Sequence, residues 1–517
     1  MRDWLAKRPS YPSAAYAILA VGLSFMVYAP ILKNYFWMDD FLIFEMVTNW
    51  PLAKFLNVNW AGHLVLVRNA FYAGMYAVVG ANPMPYYLVL LVLHGLNVAL
   101  VFATVRTVTR SAELACLAAA AWGTCPVNEG ALGWLAASGN VVVGTTTLIV
   151  LYDAVRTLWR QTRVRLARAV LWAALLSAGA QSFGTGLGVA IAAPVMLMWL
   201  MDRLTWPGRA VLLCVPVVTV WMYGQDYGQF TGSLASSTLA QANMLFHLQA
   251  IGFTDLIRGL GYEPGPADFL APVDFNSVPL SLASFAVYLI AALVISLWAL
   301  AVWLSTGRQR RLLVTLAVLA LSNYGVIAVG RGYWIESLRQ SAIRWAAQAR
   351  YHYSGTALLA IGLAVVAATL FSQRLVVWAR TALAAWLIVF AFLYANTGWR
   401  IRHYDAERQR AERVLSRIDS AIRSTPAGEP VITYNEPFPD GPFTAGAASL
   451  YVMNRSNRYT PDREVYFVDR YAAAVWDKYP ASPLAHVLLP PPYSGLVCTA
   501  RLPLQSESPT SQRQPLG

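Results

Sequence analysis

Apolar residues along this chain fall in long blocks separated by short polar connections, and the blocks have the length of membrane spans. Crossing the hydrocarbon core takes about 20 apolar residues in a helix. Blocks of that order lie at 13–32, 85–105, 111–125, 137–155, 167–181, 184–201, 208–223, 280–304, 311–329, 354–372 and 376–396, which predicts eleven transmembrane helices. Alternate connections are basic: RTVTR (106–110), RTLWRQTRVRLAR (156–168), MDRLTWPGR (201–209), STGRQRR (305–311) and SQR (372–374). Under the positive-inside rule these lie in the cytoplasm, together with the N-terminus. No small-residue cleavage site follows the first block, which continues PILKNYFW, so it is expected to stay as an uncleaved span.

Composition agrees with this pattern. Hydrophobic residues make up 57% of the 517 and charged residues 13%, against about 25% charged in soluble domains. The mean hydropathy is +0.47. The expected fold class is an all-α polytopic membrane protein. Its formal charge of +13 does not point to nucleic acid, because the basic residues are spread through short loops rather than gathered in one patch. Cys116, Cys125, Cys214 and Cys498 include no CxxC pair and suggest neither a metal nor a redox site.

The threading leaves 33–84, 224–279 and 330–353 as outer loops, followed by a tail of different material. Half of the 28 prolines lie after residue 425. Within the tail, Ala411, Val414, Leu415, Ile418 and Ile422 recur at helical spacing, and PVITYN and REVYFVDRY are strand candidates. The expected organisation is a membrane domain over 1–396, a small outer α/β domain over 397–500 and a disordered end over 501–517. Turn formers mark the second loop (YGQDYGQFTGS, GYEPGPADF), whereas HLVLVRNAFYAGMYAVVG in the first is apolar enough for an interfacial helix.

Candidate chemistry sits in the outer loops. NYFWMDDFLIFE (34–45) places Asp39 and Asp40 among aromatic residues. Two carboxylates there serve either as the N-terminal cap of the helix that follows or as a general base with a supporting acid. Desolvation by Tyr35, Phe36 and Trp37 would make such a base stronger. The third loop carries Arg331, Arg339, Arg344 and Arg350, interleaved with Tyr333, Trp334, Trp345, Tyr351 and Tyr353. Arginines at this surface either meet lipid phosphates generally or grip one lipid-linked phosphate bidentately. Glu129 stands at an outer turn in CPVNEGALGWLAASGN (125–140), as a helix cap or as a neighbour of the first loop. His94 and Asn97, three apart near mid-membrane, are expected to bond between helices.

Four segments in order, FWMDDF, VRNAFYAGMYAVVGANPMPYYLVLLVLHGLNVALVF, CPVNEGALGWLAASGN and ARYHYSG, resemble membrane glycosyltransferases of the protein O-mannosyltransferase type, in the branch that includes the TMTC proteins. The resemblance implies a GT-C fold and inverting transfer of a sugar from a polyprenyl-phosphate donor to an acceptor hydroxyl on the outer, periplasmic face of a bacterial inner membrane. Membrane lipid, the lipid-linked sugar and a glycan or protein acceptor are the implied partners. By position, Asp39 resembles the catalytic base and Asp40 its partner. Arg350, with Arg344 and Arg331, corresponds to the donor-phosphate clamp, Arg68 to the first-loop arginine and Glu129 to the acid after the Pro-Val turn. Tyr351 and Tyr353 belong to the late Arg-Tyr motif.

The chain departs from that pattern at several points. Asn69 stands where a proline is usual, Cys125 where a histidine is, Ala349 where an acid is, and QSFGTG (181–186) where Ser-Lys-Glu is common. Tetratricopeptide repeats are absent. No metal site is expected; a divalent cation on Asp39 and Asp40 is the sole metal option, with few other carboxylates near the pair. Two alternatives stay open, a transporter or flippase of lipid-linked sugars and a catalytically inactive membrane scaffold.

Overall fold

The computed structural model describes residues 13–36, 39–60, 63–227, 238–258, 282–337, 346, 348–371, 377, 379–383, 385, 412–413, 415–417, 419–420, 423–424, 431–434, 465–469, 486–488 and 496–500. These fall into two compact units. One comprises 1–33, 56–71 and 84–402; the other comprises 34–55, 72–83 and 403–517.

The first unit is helical. Among the described residues, six helices are long and apolar enough to cross a membrane: Ser13–Lys33, Pro83–Thr109, Leu135–Arg160, Trp206–Gln225, Gly307–Arg331 and Tyr353–Leu370. Four shorter apolar helices, Ala112–Gly123, Leu166–Ala180, Gly184–Leu200 and Tyr288–Leu304, fall on the expected blocks at 111–125, 167–181, 184–201 and 280–304. The eleventh expected span, 376–396, lies for the most part outside the described residues.

Small residues let the bundle close. A Cβ on Gly188 would run into the carbonyl oxygen of Ser322, so helices Gly184–Leu200 and Gly307–Ser337 meet backbone to backbone. Several polar groups buried among the helices bond to one another, which offsets the cost of their apolar surround. Trp122 Nε1 donates to Thr356 Oγ1 at 3.1 Å, Asn323 Nδ2 to Ser354 Oγ at 3.0 Å and Thr185 Oγ1 to Asn140 Oδ1 at 2.8 Å.

Two expectations from the apolar pattern are corrected here. The stretch 224–279, expected as a loop, contains helix Thr238–Arg258. Met244, Leu248 and Ile251 recur there at helical spacing and pack in one cluster with Tyr324, Ile327 and Tyr351. Helix Gly307–Ser337 also runs on past 329, so Arg331 stands on a helix rather than in a loop. Its backbone hydrogen bonds continue where the sequence turns from aliphatic to aromatic, a change in side chains that costs the helix little.

The first loop contributes a short hairpin, pairing Asn59 with Leu64 and Trp60 with His63, and helix Leu66–Val79.

The second unit holds helix Asp39–Asn49 and a four-stranded sheet. Phe44 of that helix packs edge-on to Phe36 at 4.4 Å and to Tyr72 at 5.5 Å between ring centroids. In the sheet, Val431–Tyr434 lies parallel to Val465–Asp469, which pairs antiparallel with Leu496–Ala500, and the latter with His486–Leu488. The first two strands fall within PVITYN and REVYFVDRY. Residues 501–517 lie outside the described residues.

Candidate functional site

The late Arg-Tyr motif is a single 3-10 turn, Ala349–Tyr351, entered from extended backbone at Gln348. The residues on its C-terminal side anchor it. His352 donates from Nε2 to the carbonyl of Ala346 at 2.6 Å, which leaves Nδ1 to accept from the Tyr324 hydroxyl at 3.1 Å. Tyr353 is buried, and its hydroxyl donates to His94 Nδ1 at 2.8 Å while accepting from Asn97 Nδ2 at 3.1 Å. The His94 tautomer follows from its other nitrogen, which lies 2.9 Å from the Gly123 carbonyl and must carry the proton. On the opposite flank, Gly130 lies so close to the backbone nitrogen of Arg350 that a Cβ there would collide with it. Helix Glu129–Leu132 therefore packs directly against the turn, with Glu129 at its start.

Held this way, Arg350 places its guanidinium carbon 5.0 Å from the Trp134 ring centroid and 5.1 Å from that of Tyr351. Such stacking uses the flat face of the guanidinium and leaves its edge for an anion. Arg331 approaches the same tyrosine ring at 5.9 Å. Its Nη2 also lies 3.3 Å from Nε2 of His63, to which it donates. The His63 ring stacks on Phe183 at 4.6 Å between centroids. Nδ1 then carries the proton and finds no acceptor among the described residues. Arg68 is buried, and its Nε and Nη2 donate to Asn69 Oδ1 at 3.2 and 3.0 Å.

The charges of this cluster act on one another. Burial, and then the positive charges of Arg331, Arg68 and Arg350, hold the His63 imidazole well below its usual pKa, so it is neutral near pH 7. Burial pushes the Tyr351 phenol up, but Arg331 and Arg350 outweigh it and leave the phenol below its usual range. Arg331 thus touches the neutral imidazole directly, Arg68 and Arg350 act on it through their charge, and Tyr351 lies against Arg331 and Arg350. The cluster therefore combines positive potential with aromatic rings, the features that suit an anion.

No family model matches the chain, and no curated protein matches it in sequence. A crystal structure of ArnT from Cupriavidus metallidurans bound to undecaprenyl phosphate matches 94% of this chain and 98% of that chain, at 12% identity and a TM-score of 0.43.

Asp39 and Asp40 belong to the second unit and open helix Asp39–Asn49, where their charge favours the helix N-terminus. Asp40 is fully buried and accepts from the Tyr72 hydroxyl at 2.8 Å; Asp39 is partly exposed. No group of three His, Cys, Asp or Glu side chains suited to a metal comes together among the described residues. Arg339 and Arg344 lie outside them.

His63, Trp134 and Phe183 were not singled out from sequence. A lone histidine in WAGHLVLVRN carries no pattern, and Phe183 lies in the segment QSFGTG noted above only for a motif it lacks. That segment supplies both the ring under His63 and Gly184, where a Cβ would collide with the imidazole.

Proposed function

We propose that this chain is an inverting membrane glycosyltransferase of GT-C type, moving a sugar from a polyprenyl-phosphate donor to an acceptor hydroxyl on the outer face of a bacterial inner membrane. The observation that carries the reading is the positive charge of Arg68, Arg331 and Arg350 acting on the neutral, half-buried His63, with Trp134 and Tyr351 stacked on Arg350. Phosphate recognition needs positive charge without competing carboxylates, and no carboxylate pairs with Arg350 among the described residues.

In this mechanism Asp39 takes the proton of the acceptor hydroxyl as its oxygen attacks the anomeric carbon. The bond from that carbon to the phosphate oxygen breaks, and its electron pair leaves with the phosphate. The donor phosphodiester carries one negative charge and the departing phosphomonoester two. The arginines stabilise that added charge as it develops. Asp40, held by Tyr72, orients the segment that carries Asp39. Tyr353, whose hydroxyl is committed to His94 and Asn97, braces the turn rather than touching the donor. The membrane domain of this reading spans 1–396, and 397–500 form an outer α/β domain suited to contact the glycan or protein acceptor.

Mass spectrometry of envelope glycans and glycoproteins tests the reading. Cells lacking the chain are complemented with wild type, D39N or R350A at matched expression. The expected result is one sugar that disappears on deletion and returns only with wild type. Full restoration by both variants overturns the enzyme assignment in favour of a transporter or scaffold.

A further inference from the structure

Helix Gly139–Arg160 has 22 residues and so spans about 33 Å. Its first residue packs on Ser182 and Phe183, beside His63, and its last lies at the other end of the bundle. A basic cavity of about 630 Å³ opens at that other end, lined by Arg156, Arg160, Arg163, Arg165 and Arg168 with Asp153.

Most arginines nearby are already engaged. Arg203 donates to the Gln161 carbonyl, Arg310 to the carbonyls of Val302, Trp303 and Ser305, and Arg311 to both carboxylate oxygens of Asp202. Within the cavity the single acid is also engaged. Asp153 Oδ2 receives Arg168 Nε at 3.2 Å and Trp172 Nε1 at 3.0 Å. The guanidinium groups of Arg156, Arg160, Arg163 and Arg165 find no acceptor among the described residues. They surround the start of helix Leu166–Ala180, whose N-cap, Arg165, offers no side-chain acceptor to the free backbone N–H groups of the first turn. Four uncompensated guanidiniums and a positive helix end face one hollow.

Ligand size follows from charge. Four guanidiniums without a carboxylate partner exceed the roughly two negative charges that a single phosphate group carries near pH 7. We infer that this cavity binds an anion carrying two linked phosphates, either a lipid headgroup of the diphosphatidyl type or a free diphosphate. The site is independent of the sugar-transfer reading.

The test uses the full-length, delipidated protein in a neutral detergent and in nanodiscs. Pyrophosphate and orthophosphate are titrated by calorimetry, and cardiolipin and phosphatidylglycerol retained from nanodiscs are counted by native mass spectrometry. R160Q/R163Q removes two of the free arginines. R106Q/R110Q removes the same charge from another basic connection and controls for general attraction. In wild type, a two-phosphate ligand should bind more tightly than its one-phosphate counterpart. R160Q/R163Q should weaken that binding about tenfold, as expected for two partly exposed charge pairs, while R106Q/R110Q leaves it unchanged. Cardiolipin retention without pyrophosphate binding assigns the site to the membrane, and the reverse assigns it to a soluble ligand. Failure of both two-phosphate ligands to bind overturns the proposal. So does equal binding by wild type and R160Q/R163Q, or an equal loss in the control.

Discussion

Nη2 of Arg331 lies 3.3 Å from Nε2 of His63, a contact between positions 268 residues apart in the chain. It makes the imidazole an acceptor and therefore neutral, so the ring adds no charge of its own to the arginine cluster. Protonating it would add a cation to the positive field of Arg331, Arg68 and Arg350 at a half-buried position.

That arrangement has a consequence for acid stability. The folded-state pKa of His63 lies below the usual 6.5, so the unfolded chain binds more protons between the two values and stability falls as pH drops through that window. Above the usual value the contribution is fully present. The melting temperature should drop more for wild type than for H63Q when the detergent-solubilised protein is taken from about pH 7 to about pH 5. Identical slopes would remove His63 from this role.

Arg350 is expected to carry donor affinity. R350A should weaken polyprenyl-phosphate binding about tenfold to a hundredfold, the range for losing charge-assisted hydrogen bonds. R350K keeps the charge but not the flat fork or the stacking on Trp134 and Tyr351, so it should fall between the two. Native mass spectrometry of the lipid-bound fraction reads both variants, and an R350K affinity equal to wild type would argue against a bidentate grip.

The two adjacent carboxylates should separate by variant. D39N is expected to lose about 10²–10⁴-fold in transfer rate with little change in stability, as removal of a general base does. Y72F strips a hydrogen bond from the buried Asp40 and should cost about 2 kcal/mol. Transfer from a radiolabelled donor and denaturant melts, measured on the same preparations, distinguish the two patterns.

Tyr353 should behave as a brace. Y353F leaves His94 Nδ1 without its donor and Asn97 Nδ2 with only the more distant Val141 carbonyl, at a cost of about 1 kcal/mol inside a helix bundle. Donor affinity should hold at wild-type level. A large affinity loss with unchanged stability would return Tyr353 to the binding surface.

Gly130 should tolerate no side chain. The Cβ of G130A meets the backbone nitrogen of Arg350, and relieving that overlap should cost about 1–3 kcal/mol. The displaced turn should lower donor affinity as well, so thermal melts and lipid binding should fall together.

The order of apolar blocks and basic connections was enough to locate ten of the eleven expected helices among the described residues, because burial of apolar surface in a membrane depends on local composition. Where the local signal was mixed it misled. Helix Thr238–Arg258 was hidden by the turn formers on either side of it, although Met244, Leu248 and Ile251 carry its period. Sequence also singled out Arg331, Arg350 and Tyr351 of the third loop as residue types suited to phosphate, and Arg68 through the resemblance alone. It had no means of choosing among arginines. Those of the other basic connections look the same as text, and only the fold distinguishes Arg311, paired with Asp202, from Arg350, stacked on Trp134.

The chain by itself determined a helical, strongly apolar protein with basic connections, an acidic pair and an arginine-rich late segment. Tertiary structure alone decided that His63, Phe183 and Trp134 join that segment, and that His63 is neutral there. The physical reason is range. Helix formation and membrane burial are set by residues within about 20 positions of one another, whereas the potential at His63 comes from guanidinium groups that only packing brings together.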